Sequence, residues 1–359
     1  MSIVHYKDFD FDDNVWHIAN VCLQLNDGYR GPIDLPQGVT SCVAMFKEKD
    51  LTGCYFRDFD TSKVTDMLEM FCNCKLPAGF SLGDNFDTSA VNNMYRMFDG
   101  CKLPEGFVLG KKFVTSKVRC MSYMFSRCKL PTGFSLGDEF DTSSVTNMEQ
   151  MFARCQMSKD FNLGSKFDTS SVINMQAMFR YCKFAAGFNV GDKFDTSNVE
   201  SIREMFANCE LPEGFSLGDE FGTSRVVDMH SMFQECVIPD GFSLGDKFDT
   251  SAVLDMGSMF EMCTLPKDFV LGDKFTVSAN TKMAFMFDRC RRGDTYLDRD
   301  DADKLDIINE LKQPQAVSST DERSWEDVIL NLPLASVKSC DSNEELLELI
   351  KRYLNKEGD

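Results

Sequence analysis

The chain has 359 residues, of which 43% are hydrophobic, and a formal net charge of −19. The apolar content suffices for a large core. The acidity argues against a nucleic-acid partner, because phosphate binding needs clustered Lys and Arg; the absence of any run of 18 apolar residues argues against membrane insertion.

Residues 1–35 are expected to form an N-terminal helical cap. A helix is predicted over 12–25, with Trp16, Ala19, Val21 and Cys22 on its apolar side. The opening MSIVHYKDFDFDDNVWHIANV carries acids early and no uninterrupted apolar stretch, so no secretory signal is expected. The location this implies is cytoplasmic.

Residues 36–290 form the repeat region. The pair Met-Phe recurs from residues 70–71 to 286–287 in steps of 27 without insertion, and Met45-Phe46 precedes the series by 25. A fixed period of this size predicts a stack of small units, each unable to fold alone. In the unit 86–112, Val91, Met94, Met97 and Phe98 are spaced i, i+3, i+6, i+7. That spacing predicts a helix of about three turns, with Thr88 and Ser89 as N-cap candidates. Leu103-Pro104 would end it. Phe107 and Leu109 alternate between Gly106 and Gly110, as in a very short strand with one face inward.

Equivalent residues recur as ladders. Three of them contain 27 of the 32 Phe, which marks these side chains as core rather than cofactor pocket. Nine Cys, from Cys74 to Cys290, repeat at 27-residue steps and read as buried thiols acting as small hydrophobes. Reduced thiols suit a cytosolic compartment. Zinc is the alternative, but the Cys lack ligand spacing and the chain has only three His. Two Asp ladders stand out: Asp84, Asp138, Asp192, Asp219, Asp246 and Asp273, and Asp60, Asp87, Asp141, Asp168, Asp195 and Asp249. Turn and cap work is expected of them, with Ca²⁺ between coils as the weaker alternative. No cofactor is expected.

Residues 291–359 lie beyond the period and read as a C-terminal helical cap or tail. Helices are predicted over 302–313, 321–331 and 343–355, either folding back on the last coil or binding a partner. Arg292-Gly293-Asp294 spells the integrin tripeptide in an expected turn.

The pattern FDTSxVxxMxxMFxxC, seen as FDTSAVNNMYRMFDGC at 86–101 and FDTSSVTNMEQMFARC at 140–155, resembles the BspA-like bacterial surface-protein repeat, a divergent leucine-rich repeat also found in Mycoplasma-type lipoproteins. The resemblance covers residues 39–290. It implies a binding role, often in adhesion or host contact, although no signal peptide, lipobox or wall anchor is visible. The expected fold is an α/β, leucine-rich-repeat-like solenoid of about ten coils, each a short parallel strand plus a short helix, with helical caps.

Walker, GxSxG, HExxH and Rossmann motifs are absent, so no enzyme activity or catalytic residue is expected. The function read from this chain is a non-catalytic scaffold that binds another protein along an elongated face. The candidate face is the ribbon of residues that follow the inward Phe: Ser81, Val108, Ser135, Asn162, Asn189, Ser216, Ser243 and Val270. These are small and mostly polar. The alternatives are a surface-displayed or secreted adhesin, and a spacer whose function lies in the C-terminal tail.

Overall fold

In the computed structural model, the described residues are 16–19, 22–191, 194–297 and 304–312. The chain divides into two units, 1–314 and 315–359, and the described residues all fall in the first. The tandem repeats build a solenoid. Each coil bonds to its neighbours through the backbone: Asn93 forms parallel bridges with Asp66 and Cys120, and Lys102 bridges Lys129.

Between those two bridge positions the expected helix is not formed. The N–H groups of Met94, Arg96, Phe98 and Gly100 donate to Cys120, Ser122, Met124 and Ser126 of the next coil, at 3.1, 3.0, 2.9 and 2.8 Å. The N–H groups of Met97, Asp99 and Cys101 fold back three residues, to Met94, Arg96 and Phe98. A helix would direct each N–H to the fourth residue back and leave none of these donors for the next coil. The segment is instead a run of β-turns. Arg96 and Gly100 have positive φ, 54° and 75°, at the third position of their turns, the signature of a type II turn.

The same two positions are left-handed in other coils, mostly without glycine: Tyr123 and Arg127, Gln150 and Arg154, Glu204 and Asn208. An L-residue there costs about 1–2 kcal/mol. Burying each Met and Phe of the repeated pair contributes about 1.5–3 kcal/mol, so packing outweighs the backbone cost.

The core consists of continuous columns. Val91, Met94, Met97, Phe98 and Cys101 have no exposed surface, nor do most of their equivalents. Phe98, Phe125 and Phe152 stack at successive centroid distances of 5.7 Å, and Phe86 stacks on Phe113 at 6.3 Å. Phe107 meets Phe98 edge-on at 6.0 Å. These offset and T-shaped geometries are the favoured ones for aromatic pairs. The expected inward alternation of Phe107 and Leu109 holds, since both are buried while Val108 is exposed. This segment nonetheless carries no bridge; the pairing lies at Asn93 and Lys102 instead.

Thr88 is not a helix cap either. It and its equivalents are buried, and each hydroxyl donates to a carbonyl of the next coil. Thr88 Oγ1 reaches Val114 O at 2.7 Å and Thr142 Oγ1 reaches Asp168 O at 2.6 Å.

The N-terminal helix gives way to a hairpin. β1 (Trp16–Ala19) pairs antiparallel with β2 (Cys22–Leu25), and the Leu25 N–H donates to Met45 O of the first coil. Leu23 and Leu25 are buried while Gln24 is half-buried, a period of two rather than 3.6. β3 (Gly31–Ile33) then pairs parallel with β4 (Cys54–Phe56).

At the other end β5 (Thr264–Leu265) pairs with β6 (Arg291–Arg292), which turns back into β7 (Thr295–Tyr296). The helix expected over 302–313 is present as α1 (Lys304–Leu311). Its Ile307, Ile308 and Leu311 are buried, and Leu311 O accepts the Leu271 N–H, so it closes the last coil. The helices expected over 321–331 and 343–355, and Asp192, lie outside the described residues.

Candidate interaction face

The ribbon residues hold the same position in successive coils. Ser81, Val108, Ser135, Asn162, Asn189, Ser216 and Ser243 are exposed, and Val270 is half-buried. Their polar atoms already have local work. Ser81 Oγ accepts the Gly83 N–H at 3.1 Å, Ser135 Oγ that of Gly137 at 3.1 Å and Asn162 Oδ1 that of Gly164 at 3.0 Å. Ser216 and Ser243 do the same for Gly218 and Gly245. These are ST- and Asx-turns that close the bend after each coil's inward Leu or Val. The ribbon is a surface of satisfied turn residues.

A chemically richer surface lies on the turn segment, nine residues per coil from the one before the Asn93 bridge position to the one before Cys101. It holds seven of the nine Arg in residues 36–290 (Arg96, Arg119, Arg127, Arg154, Arg180, Arg203 and Arg289), three of the four Tyr and the one His. Since it makes up only a third of each coil, the enrichment marks this face. Arg and Tyr are the residue types that dominate binding hot spots. All seven Arg are exposed or half-buried.

The side chains here form networks across coils. Lys47 donates to Glu69 at 2.8 Å, and Arg96 lies 3.6 Å from Glu69 and 3.2 Å from the buried Asp99. Arg96 also covers the Tyr123 ring at 5.0 Å, and Tyr95 meets Tyr123 edge-on at 5.7 Å. The Tyr123 hydroxyl donates to Glu149 at 3.0 Å; burial and that carboxylate push it up to about 12. Further along, Arg154 stacks over Tyr181 at 4.5 Å and Arg180 pairs with Glu204. His230 lies 3.3 Å from Asp255. Among the described residues, six of the ten large hydrophobic side chains that are exposed lie on this segment: Ile173, Tyr181, Val227, Leu254, Met262 and Phe285. The face thus combines charge, aromatic rings and apolar surface.

The Cys ladder and the second Asp ladder, weighed above for metal, are occupied by structure. Cys101 Sγ donates to Phe71 O at 2.9 Å, and Cys128, Cys182, Cys209, Cys236 and Cys263 each make the equivalent contact with the Phe carbonyl of the preceding coil. Burial pushes the thiols of Cys101 and Cys209 up to about 12, which keeps them protonated and poor nucleophiles. The second Asp ladder closes Asx-turns: Asp60, Asp87, Asp141, Asp168, Asp195 and Asp249 each accept the N–H two residues on, at 2.8–2.9 Å. Among the described residues, no group of three or more His, Cys, Asp or Glu could hold a metal ion. Arg292 is buried, so the Arg-Gly-Asp tripeptide does not present its cation.

Sequence reasoning passed over the turn face because it treated those positions as the outer side of a helix. A tally of residue types by position in the repeat would have found it.

Three overlapping stretches of the chain, 40–135, 132–237 and 215–320, match the family described as "Mycoplasma protein of unknown function, DUF285". No curated protein and no solved structure matches the chain.

Proposed function

The chain belongs to the DUF285 family of Mycoplasma proteins of unknown function, and from the chemistry of its turn face we propose that it is a non-catalytic scaffold that binds another protein. The observation that carries this reading is the gathering of seven of the nine Arg and three of the four Tyr of the repeat region on one third of each coil. Tyr and Arg bring large contact area and directional donors. The half-buried Tyr123 and Arg96 are held in place by neighbours on adjacent coils, which lowers the ordering cost of binding. The recurring 16-residue pattern, with its resemblance to BspA-like repeats, supports the same role.

The ribbon of Ser135 and its equivalents is the second candidate, favoured by its exposure along successive coils. Capture of a partner from native lysate by the full chain separates the two. The double substitution Arg154→Ala, Tyr181→Ala is expected to reduce capture at least about tenfold, as loss of a hot-spot pair does, while Ser135→Arg leaves it unchanged. Loss with Ser135→Arg alone would move the interface to the ribbon. A captured set indifferent to both changes would favour the spacer reading.

A further inference from the structure

A column of lysines runs along the second bridge position. Lys102 bridges Lys129, Lys129 bridges Gln156, and Gln156 bridges Lys183, all parallel; Lys75 occupies the same position one coil earlier. Adjacent coils set these residues about 4.8 Å apart. All four Lys are exposed. Lys75 reaches Asp50 at 2.9 Å, whereas Lys102, Lys129 and Lys183 have no ion pair among the described residues. The next residues in the column are Glu210, Val237, Thr264 and Arg291, so its lysines are confined to the earlier coils.

In a chain of net charge −19, an unneutralised row of positive charges is the exception. Beside it lies a groove of about 490 Å³, lined by Lys75, Lys102 and Lys129 together with Leu103, Pro104 and Pro131. Glu105, the one carboxylate in its lining, is turned onto the backbone and accepts the Thr132 N–H at 3.2 Å.

We propose that this groove binds an extended acidic peptide segment of a partner protein, with carboxylates over Lys102 and Lys129 and apolar side chains against Leu103, Pro104 and Pro131. The charge of the column selects an anion, and the apolar lining selects a peptide over a phosphate chain. No aromatic side chain lines the groove to stack bases, and the net charge of the protein repels a long polyanion. The groove is separate from the turn face, so the scaffold reading and this one stand or fall independently.

The test is fluorescence anisotropy on the full chain with a labelled nine-residue probe, Glu-Val-Glu-Pro-Glu-Leu-Glu-Val-Glu. The probe is expected to bind, to weaken as salt is raised, and to weaken at least about tenfold with Lys102→Glu, Lys129→Glu, because charges of the wrong sign then face the carboxylates. Replacing the apolar residues of the probe by Ser is expected to weaken it several-fold. The Arg154→Ala, Tyr181→Ala chain should bind as the unaltered protein does. No binding by the unaltered chain, or full binding by the Lys→Glu variant, would overturn the proposal. So would loss of binding in the Arg154, Tyr181 variant, which would place the probe on the turn face. Equal or tighter binding of inorganic polyphosphate or oligothymidylate would also overturn it, by showing that the apolar lining selects nothing.

Discussion

Arg127 closes its Nε and Nη2 on the two carboxylate oxygens of Asp99, each at 2.9 Å, across one coil boundary. Asp99 has no exposed surface, and its other cationic neighbour is Arg96 at 3.2 Å. Arg127→Ala therefore leaves a buried carboxylate with one cation in place of two. Hydrogen bonds to charged groups contribute about 1.5–3 kcal/mol, and a loss of that order is expected in urea melts. Arg127→Lys should recover little of it, since an ammonium cannot supply the planar fork. A loss below about 0.5 kcal/mol would mean that solvent already screens the pair.

A sign rather than a size separates the turn architecture from a helical one. Glu235 is exposed and has a φ of 56°, at the position that Gly100 occupies in its own coil. In a helix, Glu235→Gly would destabilise by up to about 1 kcal/mol. In a left-handed turn the same change removes about 1–2 kcal/mol of steric cost, against roughly 0.5–1 kcal/mol of added chain entropy. The expected result is a modest gain in the midpoint of chemical denaturation. A drop would favour a helix at this position.

Phe152 has no exposed surface and stacks between Phe125 and Phe179, at 5.7 and 5.9 Å. It also meets Phe161 edge-on at 5.9 Å. Phe152→Ala would interrupt the column in mid-solenoid, where neighbours held on both sides cannot collapse into the hole. The expected loss is about 3–5 kcal/mol, read in a denaturant melt. Near-native stability would show that the column is not a continuous core.

What was legible in the chain and what was not has a physical basis. The coil period and the Phe, Met and Cys columns follow from arithmetic, because identical side chains at a fixed step must stack if the units do. The turn run was hidden because Val91, Met94, Met97 and Phe98 fit one stripe of a helix equally well. Only the backbone at Arg96 distinguishes the two, and an Arg there gives no hint of positive φ; Gly100 was the one local sign. At the N-terminus the spacing of Trp16, Ala19 and Cys22 suggested a helix, while the alternation of Leu23, Gln24 and Leu25 carried the correct period. The ribbon could be placed from its Gly neighbours, yet the bond from the Gly137 N–H to Ser135 Oγ needs coordinates. The turn face was written in residue types all along, and was missed because its positions were assigned to the wrong element.

The acid response of the solenoid follows from the same Asx-turns. The Ser251 hydroxyl and N–H beside Asp249 hold its carboxyl below the usual value of 3.8, and Ser62 does the same for Asp60. The unfolded chain therefore takes up these protons at a higher pH than the folded one. The stabilising contribution is complete above the unfolded value and is lost as pH falls below it through the lower folded value. Asp249→Asn keeps an acceptor for the Ser251 N–H but removes the titration. Melting temperatures compared at about pH 7 and about pH 2.5 should therefore fall less in the variant than in the unaltered chain. An equal fall in both would mean that the Asp249 turn contributes nothing to acid sensitivity and that the loss arises at other carboxylates.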